Sequence, residues 1–125
     1  MNRKRTLIIT LVAALLLTGC TGGGRADAPP PITTDQRVEM VARDNLFGPT
    51  EVRTKAGPTA FVLRNEGYVA HNLQVRDAAG KKLAESPLVT RGKSTHVQVD
   101  LPPGAYQLIC TVPGHADMKA SLTVE

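Results

Sequence analysis

The chain has 125 residues, with 15 Lys and Arg against 11 Asp and Glu, a formal charge of +4. At that length one domain is expected, and a large catalytic architecture is excluded. Arg3, Lys4 and Arg5 account for most of the excess; without them 12 basic residues face 11 acidic ones, a net of +1, so the folded part carries no basic field and nucleic acid is excluded as a partner.

In chain order, the basic N-terminus leads into an apolar run from Leu7 to Leu17 interrupted only by Thr10, then Thr18, Gly19 and Cys20. A basic start, an apolar stretch of about 7–15 residues and small residues after it are the parts of a secretory signal peptide. The run is shorter than the roughly 20 apolar residues a spanning helix needs. Leu17-Thr18-Gly19-Cys20 also resembles a bacterial lipobox, in which the cysteine is lipidated and becomes the first mature residue. Residues 1–20 are therefore expected to be a lipoprotein signal peptide with Cys20 as the lipidation site. The mature protein would be exported and held by lipid at the outer face of the cell membrane, or on the periplasmic side of a bacterial membrane.

Residues 21–36 contain Gly22-Gly23-Gly24 and Pro29-Pro30-Pro31 with scattered polar residues and no apolar period. Such a composition buries too little surface to offset its ordering entropy, so a flexible to semi-extended tether is expected. Residues 37–125 read as one domain of short strands: Val38 to Ala42, Glu51 to Lys55, Thr59 to Asn65, His71 to Arg76, Ser94 to Asp100, Ala105 to Cys110 and Lys119 to Val124. Gly48-Pro49, Gly57-Pro58, Glu66-Gly67, Ala79-Gly80, Arg91-Gly92 and Pro102-Pro103-Gly104 separate them with turn chemistry. About seven to eight strands without a long helical period predict an all-β sandwich. A short irregular or helical piece is expected between Lys81 and Val89.

The chemistry concentrates in Cys110-Thr-Val-Pro-Gly-His115-Ala-Asp-Met118, with His71-Asn72 upstream. A thiolate, two imidazoles and a thioether form the donor set that holds a single copper ion for electron transfer. Taken singly, Cys110 reads as an inert core cysteine, His71 as a rim histidine and Met118 as gap-filling packing. The spacing C-x4-H-x2-M outweighs those readings, because Pro113-Gly114 supplies a turn and short gaps keep three donors within reach of one ion. Alternation places His71 with Leu73 and Val75, and Cys110 with Leu108 and Tyr106, on core-facing sides. His96 shares its face with Gln98 and is expected to be an exposed strand histidine outside the site. If Cys20 carries lipid, Cys110 has no disulfide partner, and a bound metal accounts for a lone thiol in an oxidising compartment.

With Asp44-Asn45-Leu46-Phe47-Gly48-Pro49, Asn65-Glu66-Gly67, His71-Asn72 and the Cys110 to Lys119 segment, the chain resembles the cupredoxins, the small blue copper proteins, from about Val38 to Glu125. The resemblance implies a Greek-key sandwich with the copper site at one end, His71, Cys110 and His115 as in-plane ligands and Met118 as the axial one. It implies that Asn72 ties the upstream ligand loop to Thr111. It also implies that His115 is the electron port, with Leu46, Phe47, Pro49, Pro113 and Ala116 as candidates for an apolar docking rim. The x2 gap before Met118, and Ala120 where many relatives have glycine, depart from familiar members and bear on the axial bond. The expected activity is that of a monomeric one-electron carrier, not an enzyme, serving redox proteins such as an oxidase, reductase or cytochrome. The competing reading is a copper-binding or delivery lipoprotein without a redox partner.

Overall fold

A computed structural model describes residues 28–125. The expected signal peptide, Cys20 and the Gly-rich start of the expected tether lie outside the described residues. Nine strands follow one another without a helix among the described residues: β1 Arg37–Arg43, β2 Leu46–Gly48, β3 Glu51–Thr54, β4 Gly57–Asn65, β5 Gln74–Asp77, β6 Lys82–Glu85, β7 Ser94–Leu101, β8 Gly104–Ile109 and β9 Lys119–Val124. They form two sheets, in the orders β2-β1-β4-β7 and β3-β9-β8-β5-β6. Both are mixed, since β1 runs parallel to β4 and β3 parallel to β9, while the other pairs are antiparallel.

The expected all-β sandwich is what the chain forms. Period-two burial drives it: Ala120, Leu122 and Val124 of β9 and Met40 and Ala42 of β1 are buried while residues between them face outward. β4, interior to its sheet, buries Phe61 and Leu63 completely, in one core cluster with Leu73 and with Val75, Leu108 and Leu122 of the opposite sheet. Two strands were not anticipated. β2 has three residues, too few for a pattern, and β6 occupies the stretch expected to be irregular or helical. β6 is largely exposed, so pairing with β5 holds it in place and no apolar alternation marks it.

The two ends of the sandwich differ. At one, Gly57 faces Leu101 across β4 and β7, and the C-terminal Glu125 accepts a hydrogen bond from the Ala56 N–H. At the other, β4 ends at Asn65, β7 begins at Ser94, β8 ends before Cys110 and β9 begins just after Met118. All the expected metal ligands gather at this second end.

Residues 28–36, the close of the segment expected to be tether, lie along β7. Pro30 and Pro31 offer carbonyls that accept from His96 Nε2 at 2.6 Å and Gln98 Nε2 at 2.8 Å, and the Thr33 N–H donates to Gln98 Oε1 at 2.8 Å. Thr34 Oγ1 donates to the Pro58 carbonyl and Gln36 Nε2 to the Lys55 carbonyl. Proline-fixed backbone loses little further entropy on docking, and its carbonyls have no ladder partner, so side chains of β7 can claim them. His96 is consequently half-buried beneath the segment, not exposed as expected, and it remains apart from the metal ligands.

Candidate metal centre

The loop between β8 and β9 is built by two consecutive turns. The His115 N–H donates to the Val112 carbonyl at 3.0 Å, with Pro113 and Gly114 between them. Gly114 has φ 89°, so the pair adopts the arrangement in which proline precedes a left-handed glycine. The Met118 N–H then donates to the His115 carbonyl at 2.9 Å, and the Cys110 N–H to the Met118 carbonyl at 3.1 Å. This last bond sets Cys110 and Met118 opposite each other at the end of the β8–β9 ladder. Both are buried, Met118 to 1% exposure, whereas His115 is half-buried and its neighbours Gly114 and Ala116 are exposed.

His71 arrives from a different part of the chain. It forms a two-bond bridge with Val89 just before β5, His71 N–H to Val89 carbonyl at 3.1 Å and Val89 N–H to His71 carbonyl at 2.8 Å. Asn65, fully buried at the end of β4, fixes the approach: its Nδ2 donates to the carbonyls of Val69 and Val89, and its Oδ1 accepts from the Gly67 N–H. Gly67 lets the turn close, because a Cβ there would stand 2.8 Å from the Asp44 backbone nitrogen and 3.1 Å from His71 Nε2. Sequence reading placed a turn at Glu66-Gly67 and counted Asn65-Glu66-Gly67 among the motifs of the resemblance, but gave neither residue a part in holding His71; the signal available was an Asn two positions before a Gly, the spacing of an Asx turn.

The structure brings His71, Cys110 and His115 together, with one donor atom from each within 4.8 Å of the others. Cys110 Sγ lies 3.9 Å from His71 Nδ1 and 3.6 Å from His115 Nδ1. Bonds of about 2.0–2.1 Å to nitrogen and about 2.3 Å to sulfur, as for a first-row ion such as zinc, put those donors about 3.6–3.8 Å apart at ordinary angles. The separations therefore suit one shared ion better than direct hydrogen bonding. The imidazole centroids are 4.8 Å apart and tilted by 31°.

Burial holds the His71 pKa below its ordinary value, repulsion from His115 adds to the effect, and Asp44 opposes it. The neutral ring is the ligating form. Its Nε2 is buried without a hydrogen-bond partner, so packing against Gly67 and its surroundings, in place of an acceptor, orients the ring.

Asn72 and Thr111 meet as the resemblance implied. Asn72 Nδ2 donates to Thr111 Oγ1 at 2.7 Å, and Asn72 Oδ1 accepts from the Thr111 N–H at 2.8 Å. This reciprocal pair joins the His71 segment to the residue after Cys110. Of the expected apolar rim, Leu46, Pro49, Pro113 and Ala116 are exposed, but Phe47 is 3% exposed and belongs to the core. β2 turns Leu46 outward and Phe47 inward, the alternation of any strand with one solvated face. Tyr68, Val69 and Leu88 are exposed apolar residues of the loops bordering His71, and Arg91 lies over the Tyr68 ring at 4.1 Å.

Comparison with known proteins agrees with this geometry. The cupredoxin-like domain family matches residues 7–124. The chain is 33% identical over 81 residues to the copper-resistant cuproprotein CopI of Pseudomonas aeruginosa, an overlap of 55% of this chain and 45% of that protein, so it spans less than half of that relative. Auracyanin B superposes with a TM-score of 0.68 at 25% identity, over 80% of this chain and 95% of its own. Auracyanin A, a blue copper protein of the green thermophilic photosynthetic bacterium Chloroflexus aurantiacus, gives 0.64 at 26% identity, over 71% and 98%. An azurin of Methylomonas sp. strain J gives 0.64 at 16% identity, over 74% and 99%, a likeness of fold. The His, Cys, His and Met cluster fits a single copper ion.

Proposed function

The chain belongs to the cupredoxin-like family, and we propose that it is a one-electron carrier in which His71, Cys110, His115 and Met118 hold the copper. Copper bound there supplies a couple between Cu(I) and Cu(II). The observation that carries the reading is the convergence of two imidazole Nδ1 atoms on one buried thiol at 3.6 and 3.9 Å. A rigid frame suits such a carrier, because donors that stay in place between oxidation states keep reorganisation small. Here the frame is the Cys110–Met118 backbone bond, the His71–Val89 bridge and the Asn72–Thr111 pair. His71 and Cys110 are sealed from water, while the half-buried His115 provides the route outward, bordered by exposed Pro113 and Ala116. Export and lipid attachment through Cys20 complete the proposal and rest on the N-terminal sequence.

A second reading, copper buffering or delivery, draws on the similarity to a copper-resistant cuproprotein. Loading the described domain with Cu(II) and cycling it with a reductant separates the two. An intense blue thiolate band that bleaches and returns, with copper retained against chelators, is expected of the carrier. A blue protein that yields its copper readily supports delivery, and a colourless one refutes the proposed ligand set.

A further inference from the structure

We infer that the docked proline segment turns the metal-bearing end of the head toward the membrane, so that the redox partner is a membrane-embedded protein and not a soluble one. The inference rests on the proposed electron-carrier role and on lipidation at Cys20. If β1 followed directly from a loose tether, the chain would leave the head at Arg37. That residue pairs with Ala60, toward the end of the sandwich remote from the metal ligands. The segment reverses this exit. Gln36 is bonded beside Lys55 at the remote end, Thr33 and Pro31 meet Gln98, and Pro30 meets His96. Ala28 and Pro29 then border Leu88, Val89 and Thr90, and Val89 is the residue bridged to His71. The chain thus reaches the metal end after running along β7 from Gln98 past His96.

Chain length makes the reversal consequential. Eight residue steps separate Cys20 from Ala28, a reach of at most about 28 Å. From Cys20 to Arg37 there are seventeen steps, or up to about 60 Å. With the segment docked, a lipid on Cys20 keeps the metal end within that shorter reach, so that end is on average the nearer to the membrane. With it undocked, the head swings on twice the leash and from its opposite end. The exposed Tyr68, Val69 and Leu88 lie on the end so presented.

The orientation is tested on the full lipidated chain, metal-free, in nanodiscs carrying a gadolinium-chelate headgroup lipid, by paramagnetic relaxation of backbone amides. Relaxation falls with the sixth power of distance, and β4 sets the ends about 26 Å apart, so amides of Thr90, Gly114 and Ala116 should relax at least about fivefold faster than those of Lys55, Gly104 and Glu125. The contrast should collapse in a His96→Ala/Gln98→Ala double variant. Insertion of about twelve Gly and Ser residues after Gly24, which leaves the head untouched, should weaken it. Equal relaxation at both ends in the unmodified chain, or an undiminished contrast in the double variant, overturns the inference. A second arm uses the copper-loaded chain with a ferrocene-tethered lipid, whose Fe(II) gives one electron to Cu(II), and with soluble ferrocyanide as control. The double variant should slow the lipid-borne reduction about threefold, because the effective concentration of the copper end at the lipid donor falls as roughly the −3/2 power of leash length, and leave the soluble one unchanged. Equal slowing with both donors overturns the membrane-partner assignment. A colourless protein that keeps the relaxation contrast refutes the carrier reading while the orientation stands.

Discussion

Gly67→Ala probes how tightly the metal end is closed. The added methyl would sit 2.8 Å from the Asp44 backbone nitrogen, 3.1 Å from His71 Nε2 and 3.4 Å from Asn65 Oδ1. Gly67 has no left-handed φ, so restricting the unfolded chain favours alanine by about 0.4–1 kcal/mol. Against that, relieving the Asp44 contact requires a backbone shift of about half an ångström or more in a well-packed region, an overpacking cost of about 1–3 kcal/mol. Overpacking outweighs the entropic gain, and a net loss of about 1–2 kcal/mol is expected. The assay is urea denaturation of the metal-free domain, with amide shifts of Asp44 and ring shifts of His71 read in parallel. Alanine that stabilises the domain, or leaves Asp44 and His71 unmoved, would show that the turn has slack and refute the reasoning.

Asn72→Ala removes both bonds to Thr111, at about 0.5–1.5 kcal/mol each, so a loss of about 1–3 kcal/mol in the same assay is expected, with Thr111→Val costing less because the N–H bond to Asn72 survives. Cys110→Ser should abolish the thiolate band of the copper-loaded domain and leave the far-ultraviolet circular dichroism of the apo-protein unchanged, because the core lies mainly between the sheets. Met118→Leu, near volume-conserving, should cost less than about 1.5 kcal/mol. It should retain copper and raise the reduction potential measured by voltammetry; an unchanged potential means that Met118 is not the axial donor. Glu66 accepts from Arg43 Nε at 2.7 Å, and that bond, partly opposed by desolvation and aided by the charges of Arg43 and Arg64, holds its carboxyl below the usual 4.5. The stabilisation is present above the unfolded pKa and is lost as pH falls through the lower folded one. An NMR midpoint at or above 4.5, or one that Arg43→Gln fails to raise, contradicts the pairing.

Much of this protein was legible in the order of its residues because the relevant physics is local. Seven strands announced themselves through alternating burial and Gly or Pro breaks, and the structure contains a strand at each, shifted by a residue or two except before β5. That strand starts at Gln74 because His71 is spent on a bridge to Val89. Cys110, His115 and Met118 share one loop, so C-x4-H-x2-M and the Pro113-Gly114 turn described it before any tertiary contact was known. β2 and β6 were missed because three residues, or four mostly exposed ones, carry no period.

What only the tertiary structure decided involves groups distant along the chain. The 3.9 Å approach of His71 to Cys110 spans 39 residues and depends on the pairing of β5 with β8. The buried bonds of Asn65 and the close approach at Gly67 exist only once β4, the Asp44 turn and the Val89 strand-like segment converge. His96 and the prolines show the same limit. Composition makes Pro29-Pro30-Pro31 look like a loose linker, but 66 residues away His96 supplies a donor for a carbonyl that such a segment leaves unpaired. The sequence by itself determined the strands and the donor set, since periodicity and loop spacing are encoded among near neighbours. Which distant donor is oriented, and which end of the head the chain leaves from, required the fold, since those follow from pairings that no local pattern encodes.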